Sequence, residues 1–156
     1  MTDRPNFRVE TVTGGADVAG VLADLHATCF AQSAQETWSE NTIATLLRAP
    51  GNVGAIAVAP HGGAIGFIIG RAIGDEGEVL TLCVSPTARR QGIATALIVK
   101  LRELLAPRQR LLLEVAVNNQ GARKLYLRLG FDEVGRRPGY YKRGGKSVDA
   151  LVLANG

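Results

Sequence analysis

Residues 79–105, VLTLCVSPTARRQGIATALIVKLRELL, hold the pattern that most restricts the fold. Val79, Leu80, Leu82, Cys83 and Val84 form a near-continuous apolar run of strand length, as expected of a strand covered on both faces. Ser85-Pro86 ends it, because proline cannot donate to a ladder and pushes its predecessor out of the helical region. From Ile93 the apolar residues recur at helical spacing through Ala94, Leu97, Ile98, Leu101, Leu104 and Leu105, which predicts an amphipathic helix. Between strand and helix stands Arg89-Arg90-Gln91-Gly92-Ile93-Ala94. A helix start exposes unpaired N–H groups and the positive end of the dipole, so a cation-flanked glycine there suits phosphate. A glycine that serves only the turn is an equal reading of this stretch alone.

Other phosphate loops fit less well. No Gly-Lys-Ser/Thr follows, which excludes a Walker A loop. A dinucleotide fingerprint would use Glu114, about twenty residues on. However, Leu97 stands where that fingerprint needs a small residue for close helix–sheet packing.

Before this unit, residues 7–12 (FRVETV) alternate as a strand and Gly14-Gly15 breaks it. Asp17 can cap a helix whose inner face is Val18, Val21, Leu22, Leu25 and Cys29. His26 lies beside that face and is expected to be a partly exposed structural histidine, since it lacks partners at metal spacing. Residues 30–39 read as irregular. Ser39 caps a second short helix carrying Ile43, Leu46 and Leu47, and Pro50-Gly51 ends it. Residues 53–59 and 64–73 form a hairpin about Pro60-His61-Gly62-Gly63, and residues 74–77 read as a turn. After the long helix Pro107 interrupts, and residues 111–117 (LLLEVAV) are a second apolar strand with Glu114 inside it. Asn118-Asn119 ends that strand and can cap a helix with Ala122, Leu125, Tyr126 and Leu129 inward, stopped by Gly130. Residues 131–134 and 148–153 pair as closing strands around a Gly/Pro/Tyr loop. The order β-α-α-β-β-β-α-β-α-β-β predicts one α/β domain over residues 1–156, a mixed sheet with helices on both faces.

The formal charge of +4 favours anionic partners, but the cations are dispersed apart from Arg89-Arg90, Arg136-Arg137 and residues 142–146. Direct nucleic-acid binding is therefore not expected. The two cysteines, Cys29 and Cys83, both fall in apolar patterns and read as buried thiols of a reducing compartment. No signal peptide is read and no apolar run reaches membrane-span length, so a cytoplasmic protein without a membrane partner is expected. No metal site is expected.

Three further features carry chemistry. A carboxylate inside an apolar strand is costly unless something justifies it, although Glu114 could sit at the strand's wet end. Tyr126 on an apolar helix face could be plain core, and Asn118-Asn119 only a cap. Taken with RRQGIA, these residues resemble the GNAT family of acetyl-CoA-dependent N-acetyltransferases, over roughly residues 7–153 and most specifically over residues 82–131. The family's coenzyme loop, Arg/Gln-x-x-Gly-x-Gly/Ala, is matched by Arg89, Gly92 and Ala94. LEVAVNN followed by KLYLRLGF looks most like the ribosomal-protein-alanine N-acetyltransferase branch. Trp38-Ser39-Glu40 and Gly139-Tyr140-Tyr141 look like that branch's substrate-side segments, with Thr37 where the branch usually has proline.

The resemblance implies a mostly antiparallel mixed sheet with a splayed central strand pair, and acetyl-CoA as cosubstrate. It implies Glu114 as general base, through water, and Tyr126 as the acid that protonates the departing thiolate. The backbone of Leu82, Cys83 and Val84 would pair with the pantetheine arm, the Val84 N–H polarising the thioester carbonyl. Arg89, Arg90, Gln91, Gly92, Ile93, Ala94 and Thr95 would hold the pyrophosphate, with Asn119 on the arm's other side. Trp38, Tyr140 and Tyr141 would wall the acceptor groove. The implied acceptor is the α-amine of a protein or peptide N-terminus, in the branch's own case a ribosomal protein. Alternatives are a small-molecule amine, against which stands the lack of an acidic cluster among Asp132, Glu133 and Asp149, or a non-catalytic acetyl-CoA-binding or ribosome-associated module. Possession of both Glu114 and Tyr126 favours catalysis.

Overall fold

A computed structural model describes residues 6–12, 16–31, 37–105 and 110–156. The expected glycine break at Gly14-Gly15, much of the irregular stretch before Trp38, and Pro107 lie outside them, as does the side chain of Asp17. The elements are β1 (Arg8–Val12), α1 (Ala16–Phe30), α2 (Glu40–Arg48), β2 (Asn52–Val58), β3 (Ala64–Ile73), β4 (Glu76–Val84), a 3₁₀ turn at Pro86–Ala88, α3 (Ile93–Leu105), β5 (Arg110–Ala116), α4 (Gln120–Arg128), β6 (Asp132–Arg143) and β7 (Lys146–Asn155). They build one seven-stranded sheet in the order β1-β2-β3-β4-β5-β7-β6. Among the described residues the only parallel pairing is β4 with β5. The element order is the one the periodicities predict.

Two apolar clusters sandwich the sheet. One face packs Phe67, Ile69 and Cys83 against Leu22 and Leu25 of α1 and Ile43 of α2. The other packs Ile68, Val79, Leu113 and Leu151 against Ile93, Leu97 and Leu101 of α3 and Tyr126 of α4. Close approach of α3 depends on two residues of β3 that lack side chains. A Cβ on Gly66 would come within 3.0 Å of Ile93 Cγ2, and one on Gly70 within 2.7 Å of Leu101 Cδ1. Any larger residue there pushes the helix off the sheet.

The β4–β5 pairing covers only Glu76↔Arg110, Gly77↔Leu111 and Glu78↔Leu112. Beyond Glu78 the two strands diverge, which is the expected splay. A register shift opposite Ile69/Gly70 leaves Leu80 as an extra residue in β4, and such a bulge bends its strand.

The structure corrects several expectations. The turn before β4 is shorter than residues 74–77, because Glu76 and Gly77 already pair with Ile73 and Ala72. The Gly/Pro/Tyr stretch is part of the continuous strand β6, not a loop. Pro138, Gly139 and Tyr140 together oppose the single residue Asp149, a bulge that absorbs the proline while pairing resumes at Tyr141↔Val148. Asp149 secures it: its Oδ1 accepts from the Gly139 N–H at 2.9 Å, and its Oδ2 lies 3.6 Å from Arg136 Nη1. Val21, expected on the inner face of α1, is 48% exposed. Cys83 is buried as expected, but Cys29 is only half-buried.

His26 is fully buried, not partly exposed. Its ring stacks on Trp38 with centroids 4.9 Å apart, and its Nδ1 accepts the Trp38 backbone N–H at 3.2 Å. An accepting Nδ1 puts the proton on Nε2, which is buried without a partner among the described residues. Burial accordingly pushes its pKa down from 6.5 to about 4. The unfolded chain takes up this proton below about pH 6.5, whereas the folded protein resists until about pH 4. Stability is therefore full above pH 6.5 and is expected to drain away between those values, by up to about 3 kcal/mol. Urea denaturation from pH 7.5 to 4.5 should show this slope in the wild type and lose it in His26→Phe.

Candidate active site

The splay opens a cavity of about 620 Å³ that reaches both faces of the sheet. It is lined by residues 78–82 of β4 and 113–116 of β5, by Trp38, Thr42 and Leu46 beside and on α2, by Asn119, Ala122 and Tyr126 at α4, and by residues 140–142 of β6. Five residues expected from the sequence thus meet here with Leu82: Glu114, Tyr126, Trp38, Tyr140 and Tyr141. Asn119 also lines it, but its side chain is engaged as the cap of α4, accepting the Ala122 N–H at 3.2 Å.

Glu114 lies on the α1/α2 face, since Leu112, two residues before it, registers with Glu78. Its side chain is 14% exposed, and Oε1 stands 2.9 Å from Arg137 Nε. The Tyr140 hydroxyl lies near enough for this carboxylate to act on it. Arg137 sits over the Tyr140 ring, 5.3 Å from its centroid, and the Tyr140 and Tyr141 rings meet edge-on at 5.0 Å. Burial, with the Glu114 charge second, raises the phenol pKa of both tyrosines. They are neutral donors at ordinary pH.

Tyr126 comes from the opposite face of the sheet and enters the cavity through the splay. It is 8% exposed and packs edge-on against Phe131 at 5.7 Å. Burial pushes its phenol up, the neighbouring Cys83 adding to the effect. Base and acid candidates therefore flank one opening from the two sides of the sheet.

The loop before α3 lies outside this cavity lining. Arg90 has φ 66°, the one described non-glycine residue with positive φ, and Gly92 has φ 79°. These two left-handed residues turn the chain sharply into α3, whose first N–H groups lack intrahelical partners and suit an anion. A Cβ on Gly92 would meet nothing within 4 Å, so the backbone here is open to a ligand. Residues 89–95 could hold a pyrophosphate there. Beside them Cys29 donates to the Val84 carbonyl at 3.3 Å and contacts Cys83. That contact and the Arg89 charge lower the Cys29 thiol pKa, while burial raises that of Cys83.

Sequence reading missed Glu78 and Arg137, both now beside the expected residues. Glu78 carried a usable signal, a carboxylate immediately before an apolar strand run. Arg137 carried none, since its reach to Glu114 depends on the bulge in β6. Among the described residues no group of three His, Cys, Asp or Glu side chains could hold a metal ion, and no helix is long and apolar enough to cross a membrane.

A mixed sheet opened between two parallel strands, with an exposed helix start beside the opening and a base and an acid candidate across it, is the arrangement of an enzyme suited to group transfer from a phosphate-bearing donor. Residues 21–131 match the acetyltransferase (GNAT) family, and the chain belongs to it. It is 32% identical over 123 residues to the ribosomal protein bS18-alanine N-acetyltransferase of Escherichia coli strain K12, which covers 75% of this chain and 79% of that protein. The fold matches the crystal structure of the ribosomal-protein-S18-alanine N-acetyltransferase from Escherichia coli with a TM-score of 0.82 at 25% identity, over 96% of this chain and 92% of that one. It matches Arabidopsis thaliana NAA60 in complex with acetyl-CoA with a TM-score of 0.77 at 20% identity, over 95% and 97%, a likeness of fold alone. The protein is an acetyl-CoA-dependent N-acetyltransferase.

Proposed function

We propose that this enzyme transfers acetyl to the α-amino group of a protein or peptide N-terminus, by direct attack in a ternary complex, as the name of its bS18-alanine relative suggests for that enzyme. The observation that carries the reading is the cavity itself: Glu114 and Tyr126 flank the splay, and Trp38, Tyr140 and Tyr141 line its acceptor side. Rigid amphipathic rings suit an extended chain end, because they pack against it and bond its backbone at little entropic cost.

The coenzyme, held by the helix start at residues 89–95 and along the backbone of Leu82, Cys83 and Val84, supplies an activated acetyl thioester. An α-amine, with pKa near ~8, arrives mostly protonated and must lose a proton before it can attack. Glu114 takes that proton, directly or through water. Arg137 holds the carboxylate in place for the purpose. The Val84 N–H polarises the thioester carbonyl. Tyr126, kept protonated by burial, gives its proton to the leaving sulfur, and the second amine proton restores the phenol. A lysine side chain, with pKa near ~10.4, costs about 3 kcal/mol more to deprotonate than the α-amine, so the same base serves it worse.

The test offers acetyl-CoA with short peptides beginning with Ala, the same peptides with blocked N-termini, and a panel of aminoglycosides and polyamines. Acetylation confined to free N-termini is expected. Turnover on the small amines and none on the peptides would overturn the acceptor and leave the acetyltransferase standing.

A further inference from the structure

We propose that His26 is a positioning residue of the acceptor site, fixing Trp38 in the cavity wall by accepting its backbone N–H and backing its indole ring. The place of Trp38 in the acceptor wall rests on the reading above, but its anchoring by His26 does not.

Trp38 lines the cavity from a position in no helix or strand, just before the Ser39 cap of α2. Its backbone N–H therefore has no ladder or helix partner, and a half-buried N–H needs one. His26 supplies it from α1, with Nδ1 accepting at 3.2 Å. The same imidazole lies against the indole, nearly parallel at 14° with centroids 4.9 Å apart. One side chain thus fixes both the backbone of Trp38 and the plane of its ring. Phe30, one helical turn after His26, meets the imidazole at 4.4 Å, and Phe67 of β3 lies at 6.5 Å. Phe30 lines the cavity with Trp38, whereas His26 does not. His26 is a layer behind the wall, seated between it and the sheet.

Stability does not account for a histidine here. Its Nε2 is buried with no partner among the described residues, which is a cost. A phenylalanine would fill the space without that cost, but it cannot accept an N–H. Burial keeps the ring neutral down to about pH 4, so Nδ1 stays an acceptor wherever an acetylation assay is run. An indole fixed in advance gives the acceptor a ready wall, whereas a loose one must be ordered each time a substrate binds.

The chain has one tryptophan, so its fluorescence reports on Trp38 alone. The test compares His26→Phe, which keeps a ring and loses the acceptor, with His26→Asn, whose side-chain oxygen can stand near the place of Nδ1. In His26→Phe, acrylamide quenching of Trp38 should increase and its emission shift to the red. The KM for an Ala-initiated peptide should rise roughly three- to tenfold, with much smaller changes in kcat and in the KM for acetyl-CoA. His26→Asn should recover part of both effects even though it packs worse and melts lower. That ordering separates anchoring from damage to the fold, since a merely structural residue would rank the variants by melting temperature. Wild-type quenching in His26→Phe, peptide KM values that follow melting temperature, or an equal rise in the KM for acetyl-CoA would overturn the proposal. So would a loosened Trp38 with an unchanged peptide KM. If the wild type acetylates a small amine and ignores peptides, the acceptor reading fails instead, and the same comparison on that amine decides the role of His26.

Discussion

Glu114→Gln is expected to lower kcat by roughly 10²–10⁴ while leaving the affinity for acetyl-CoA nearly intact. The amide keeps the size of the side chain and still accepts from Arg137, so the cavity wall should hold its shape. It cannot take a proton from an ammonium group, and that is the function removed. Stopped-time acetylation assays at saturating peptide would give kcat, and calorimetry would give coenzyme affinity. Since the unassisted fraction of neutral amine grows with pH, the deficit should shrink as pH rises through the α-amine pKa. Tyr126→Phe should slow turnover as well, with its packing against Phe131 preserved. Wild-type turnover in both variants would place the base and acid elsewhere in the cavity.

Gly92→Val is expected to cost at least a hundredfold in acetyl-CoA affinity, about 3 kcal/mol or more, with the fold retained. Two effects act in the same direction. Gly92 has φ 79°, which a β-branched residue avoids, so the backbone would move and the helix start would lose its shape. A Cβ there contacts no protein atom, so the core is not disturbed, but the branched side chain would occupy the approach to the N–H groups. Binding calorimetry together with a thermal melt separates the two outcomes. Unchanged affinity would remove the helix start at residues 89–95 from the coenzyme site.

Much of the architecture was legible because it is written in local periodicity. The spacing of apolar residues marked β3 at its observed limits and placed the start of α3 at Ile93. Short-range chemistry set several ends: Ser39 caps α2 by accepting the Thr42 N–H at 3.1 Å, and Gly130, at φ 88°, stops α4. Where the sequence misled, the cause was a contact with a distant partner. Pro138 and Gly139 read as a loop, yet Asp149 on the neighbouring strand lets them stay in β6 as a bulge. His26 read as partly exposed from its helical position, but Trp38 covers its ring and binds its Nδ1.

The same division runs through the site. Glu114 was conspicuous as a charge in an apolar strand, Gly92 as a glycine at a helix start, and Tyr126 as a phenol on a buried face. Each is an anomaly against its own neighbours in the chain. That Glu114 is held by Arg137, and that Glu78 joins it at the fork, could not be read the same way. Arg137 is an ordinary surface arginine in its own segment, and Asp149 looked isolated. Their meaning comes from sheet order and register: β6 lies beyond β7, β7 beside β5, and the bulge sets which side chains of β6 return toward the splay. Strand register is fixed by burial summed over a whole sheet, and shifting it by one residue exchanges the two faces. Local sequence therefore specified the elements and the reactive groups, while only the tertiary pairing decided which charges meet.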